Sequence, residues 1–70
     1  MSSRDWQRWA ARLNDYALRL EVTYAPMLAS PSLCEMVEPG VVTRWHGKLN
    51  RATKARILAR ECAERAREAS

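Results

Sequence analysis

The sequence predicts an all-α fold: an antiparallel hairpin of two long helices with a short connecting helix, dimerising into a four-helix-bundle-like assembly. Three observations carry this. Trp6, Trp9, Leu13, Tyr16 and Leu20 recur at alternating three- and four-residue spacing, which averages the 3.5-residue period that holds one seam of a helix against a partner. Ala52, Ala55, Ala59, Cys62, Ala66 and Ala69 repeat the alternation with small side chains. Between the two seams, Pro26, Pro31 and Pro39-Gly40 interrupt the chain.

The first helix is expected over about residues 3–24. Ser2 or Ser3 can accept hydrogen bonds from the first-turn amides, and Asp5 is favoured by the helix dipole. The bulky seam continues through Thr23 and Met27, and a strip of Ala10, Ala17 and Tyr24 widens the apolar face. Pro26 lacks a backbone donor, so the helix should end near residues 22–25. A short helix over about 31–38 follows. Ser30-Pro31 supplies a cap and a good first-turn residue, and Ser32 with Glu35 matches a capping box. Pro39-Gly40 should stop it and Thr43 should cap the last helix, about 43–68, which is built mostly from strong helix formers. Gly47 is its weak point, and Arg60–Glu64 and Glu61–Arg65 are spaced as helical ion pairs.

The whole chain, 1–70, reads as a single helical domain. Antiparallel pairing sets Trp6 and Trp9 near Cys62–Ala69, Leu13 near Ala59, Leu20 near Ala52–Ala55, and Tyr24 near Trp45. Alanine opposite large residues lets the axes approach while the large residues fill the gap. Ile57, Leu58 and Val22 fall outside the seams. A hairpin of this size is marginal alone, and a homodimer would bury these leftovers.

Charge is uneven. The net charge is +4, yet residues 1–42 sum to −1 and residues 43–70 to +5. From Arg44 to Arg60 there are six bases and no acid. Such a run suits nucleic acid or an acidic protein. Residues Leu33 to Trp45, a short helix, a Gly turn and a basic helix, resemble the helix-turn-helix of small phage repressors. That resemblance implies a DNA-binding regulator in which Arg44, Lys48, Arg51 and Lys54 touch phosphates or base edges. Met36 and His46 depart from the pattern, standing where a small and an aliphatic residue are usual. A membrane-surface role is not expected, because the stripe opposite the bases is alanine.

No reaction signature is present. His46 is the only histidine and has no partner placed in sequence to make it a base, and Cys34 and Cys62 lack the paired spacing of a zinc site. Two glycines cannot form a phosphate loop. The reading is therefore no enzyme, no cofactor and no metal, in a cytoplasmic protein with reduced thiols.

What remains is an apolar cluster at one end of the hairpin. Tyr24, Met27, Leu28, Leu33, Met36, Val37, Val41, Val42 and Trp45 gather there, flanked by Arg44, Lys48 and Arg51. Methionine beside aromatics is a common composition for adaptable contact surfaces, and flanking bases steer acidic partners. The expected function is a non-enzymatic module that binds and modulates a larger cytosolic protein through these residues. In size, in Arg- and Ala-rich composition and in lacking a site, the chain resembles small phage-encoded helical proteins that bind and inhibit host regulators. The resemblance implies inhibition of a partner such as a host transcriptional regulator.

Overall fold

The computed structural model describes residues 1–69, all but a few of them helical. Helix α1 spans Ser3–Leu28, α2 spans Pro31–Met36 and α3 spans Pro39–Ala69. No strand occurs among the described residues. Helices α1 and α3 lie antiparallel along a rod of 51 × 16 × 12 Å, and α2 caps one end, contacting mainly α1.

Helix α1 begins where Ser2 folds back as its cap. The Ser2 hydroxyl accepts from the Asp5 amide, and the Asp5 carboxylate accepts from the Ser2 amide and hydroxyl, a reciprocal box that satisfies otherwise orphaned donors. These bonds from Ser2 hold the Asp5 carboxyl below its ordinary 3.8. A carboxyl whose folded value is depressed stabilises the fold fully above its unfolded value, and that stabilisation is lost as pH falls through the folded one. Acid titration of helicity should thus show a small loss of N-terminal order below pH 3.8. Asp5→Asn should remove that component; an unchanged acid limb would show that the box contributes nothing.

The first helix does not stop before Pro26. It runs on to Leu28 because the last turn closes without the missing amide. Ala29 N–H donates to the Ala25 carbonyl at 3.0 Å, and Ser30 N–H to that of Met27 at 3.2 Å. The Cys34 thiol also points at the carbonyls of Met27 and Leu28, at 3.5 and 3.8 Å. Helix α2 is capped by Ser30, whose hydroxyl accepts from the Leu33 amide, with Pro31 in the first turn. The Ser32–Glu35 box is not the one used, and α2 ends at Met36, short of 38, where Val37 turns extended.

Pro39-Gly40 opens α3 instead of terminating α2. Proline at a first helical position loses only a donor that would be orphaned anyway, and its fixed φ suits the helix. No residue has a positive φ among those described, so Gly40 serves no left-handed stop. Thr43 therefore sits inside the helix, and its hydroxyl donates to the Pro39 carbonyl one turn back at 3.1 Å.

The two long helices meet through alanine on both sides. Ala10, Ala17, Ala52, Ala55, Ala59 and Ala66 are the buried residues, and Leu13 and Leu20 pack against the Ala17–Ala52–Ala55 cluster. The small seam of α3 is thus the buried one, although its last member, Ala69, is exposed. The seam of α1 differs from expectation. Its contact face is Trp6, Ala10, Leu13, Ala17, Leu20, Tyr24 and Met27, again at alternating four and three, while Trp9 and Tyr16 lie outside at 48% and 46% exposure. Alanine facing alanine brings the axes so close that only side chains at the edge of the contact have room to be large. Trp9 and Tyr16 are rotated out, and the core role expected of them passes to Ala10 and Ala17.

Register is set by polar bonds at the rim. The Ser3 hydroxyl donates to the Ala66 carbonyl at 2.9 Å, tying the start of α1 to the end of α3. Further along, Arg56 reaches across to Asn14 Oδ1 at 3.2 Å and pairs with Glu21. Arg65 lies over the Trp6 ring, 5.2 Å from its centroid, rather than pairing with Glu61. Neither Glu61–Arg65 nor Arg60–Glu64 closes to ion-pair distance among the described residues. Exposed pairs of this kind contribute only a few tenths of a kcal/mol, so a ring contact readily displaces one.

Candidate interaction surface

The expected partner-binding residues come together at the capped end of the rod. Tyr24, Met27 and Leu28 lie on the last turns of α1, Leu33 and Met36 on α2, Val37 in the link, and Val41, Val42 and Trp45 on the first turns of α3. All of them except Met36 are half-buried. Met36, at the end of α2, is 82% exposed, the most exposed large apolar side chain described. The cluster thus does two things at once: most of it plugs the end of the hairpin, and one methionine projects from the plug.

Of the flanking bases, Arg44 and Arg51 are exposed and Lys48 is half-buried. Arg44, Lys48, Arg51 and Lys54 recur at three- and four-residue steps along one side of α3. Arg56 leaves the basic run, because its guanidinium is engaged by Glu21, which also raises its pKa. The helix-turn-helix arrangement is not formed. In that unit the two helices pack on each other across the turn, whereas here α2 rests on α1, and α3 runs as one helix from Pro39 to Ala69 along the hairpin. His46 is exposed and bonded to neither Cys34 nor Glu35; both thiols are free and half-buried. Among the described residues no group of three or more His, Cys, Asp or Glu side chains could hold a metal ion, and no helix is long and apolar enough to cross a membrane.

Large apolar side chains are also exposed elsewhere along the rod. Trp9, Tyr16, Leu18, Val22, Ile57 and Leu58 are each about half exposed or more. The leftover status of Val22, Ile57 and Leu58 was readable from the seams; that of Leu18 was not, although it sits seven residues from Ala11 and four from Val22. Leu18 lines a shallow groove with Ala11, Arg12, Asn14, Asp15 and Arg56.

Fold and surface together define a small two-helix antiparallel hairpin, closed by a short third helix, that displays its large apolar side chains. Comparison with protein-family models, curated proteins and solved structures finds no match to the chain.

Proposed function

We propose that this protein is a non-enzymatic interaction module that works as a homodimer and binds a larger cytosolic protein, inhibiting it. A host transcriptional regulator is the kind of partner meant. One observation carries the reading: among the described residues no large side chain is fully buried, and the core is alanine. Eight of the described large apolar side chains are exposed, Met36 most of all, and are available to a partner. The end cluster suits that use, since Met36 is free to adapt to a partner's contour and Arg44 and Arg51 are exposed on α3.

The basic side of α3 favours a second reading, nucleic-acid binding. Without a helix-turn-helix, this would rest on phosphate contacts and fall steeply with salt.

Capture from lysate with and without nuclease, by wild type, Met36→Asp and Ile57→Asp, separates these readings. The expected result is a nuclease-insensitive protein partner, retained by Ile57→Asp and weakened at least about 10-fold by Met36→Asp, a charge placed in the centre of the contact. Signal that vanishes with nuclease supports the second reading. Binding that survives Tyr24→Ala, Met36→Ala and Trp45→Ala with helicity intact puts the surface elsewhere.

A further inference from the structure

We infer that a second copy of this chain docks on the side of α1 that carries Trp9 and Tyr16, with the two α1 helices antiparallel about a two-fold axis at Tyr16. The inference rests on the homodimer reading above and names the face through which it is made.

The contact between α1 and α3 has two flanks. One is marked by Arg56 crossing to Asn14 and Glu21, the other by Arg65 lying over Trp6. Trp9, Leu13, Tyr16 and Leu20 form a second seam, at steps of four, three and four, that shares Leu13 and Leu20 with the buried one. A helix with two overlapping seams has one more neighbour to pack against than a lone hairpin supplies. Leu58, seven residues before Arg65 and so on the same side of α3, extends this apolar flank and is 48% exposed.

The seam is also close to symmetric in sequence. Leu13 lies three residues before Tyr16 and Leu20 four after it; Trp9 and Thr23 lie seven on either side. An antiparallel copy therefore sets Leu13 against the second copy's Leu20 and Trp9 against its Thr23, the self-complementary pattern of a two-fold interface.

Charge decides which helix can meet its own copy. On α1, Arg4, Asp5, Arg8 and Arg12 make the first half +2, and Asp15, Arg19 and Glu21 make the second half −1. Because Glu21 is taken up by Arg56 on the other flank and Asp15 by Arg19, α1 brings mixed, largely paired charge to its own copy rather than a run of one sign. Two α3 helices meeting along Arg44–Arg60 would instead set two basic runs against each other, even with Arg56 held by Glu21.

Area agrees. The chain exposes 5289 Å², against about 4,450 Å² expected of a compact monomer of this mass, an excess of about 800 Å² that matches what one partner contributes to a standard interface.

The test is the mass in solution at about 50 μM, since a dimer's population depends on protomer concentration. Wild type and Leu18→Arg, on the other flank, should give the mass of two chains. Tyr16→Arg should give one chain with its helical circular dichroism retained, the dimer dissociation constant rising at least about 30-fold. Trp9→Glu, an independent disruption of the same face, should do the same. A wild-type mass of one chain overturns both the homodimer and this face. A two-chain mass in Tyr16→Arg and Trp9→Glu, or dissociation of Leu18→Arg, overturns the face and leaves the homodimer standing. Tryptophan fluorescence that responds to a single-stranded oligonucleotide and not to dilution also overturns it.

Discussion

Ala17→Leu is expected to destabilise this protein strongly. Ala17 has no exposed surface and lies in one buried cluster with Ala52 and Ala55. Three added carbons have no void to enter. They must push the axes apart, which loosens Leu13 and Leu20 at the edges and strains the rim bonds Ser3–Ala66 and Arg56–Asn14. Overpacking of a tight core costs about 1–3 kcal/mol, a large share of the stability of a domain this small. Thermal melting followed by circular dichroism should fall by at least about 4 °C. Ala11→Leu, the same change at an exposed position of the same helix, should stay within about 0.5 kcal/mol of wild type. Equal melting of Ala17→Leu and wild type would show that the helices are not in close contact.

The same alanine packing explains what was legible in the sequence. The α3 seam was readable because its members are alike: five of the six small residues from Ala52 onward are buried or half-buried, and a small residue every three or four positions has few other uses. The buried seam of α1 lies one residue from the bulky one because two interleaved repeats run along that helix. Trp9, Tyr16 and Thr23 alternate with Ala10, Ala17 and Tyr24 around the shared Leu13 and Leu20, and size argued for the aromatics. Close approach decided for the alanines. Once α3 presents alanine, the shortest axial distance is reached by alanine opposite it, and a tryptophan there would hold the helices apart. The expected end cluster could be located from sequence because it is what the seams leave over. Its division into eight plugging side chains and one projecting methionine could not, since that depends on how α2 sits on α1.

Two prolines that look alike in the sequence should respond in opposite directions to alanine. Pro26 lies inside α1, where it denies the Val22 carbonyl its amide partner. The structure tolerates this because Val22 is 63% exposed and the last turn closes through Ala29 and Ser30. Pro26→Ala restores the missing donor and removes the ring from the preceding turn, and should stabilise the protein by about 1–2 kcal/mol, a rise in melting temperature of at least about 4 °C. Pro39 opens α3, where its amide has no intrahelical acceptor and its fixed φ is already helical. Pro39→Ala frees the unfolded chain without gaining a hydrogen bond and should destabilise by about 0.5–1 kcal/mol. The pair therefore tests the helix boundaries themselves. If α1 in fact stopped before Pro26 and α3 began near Thr43, Pro26→Ala would give no gain and Pro39→Ala would leave α3 unaffected. Opposite signs place both prolines inside the helical segments, with Pro26 near an end and Pro39 at a start.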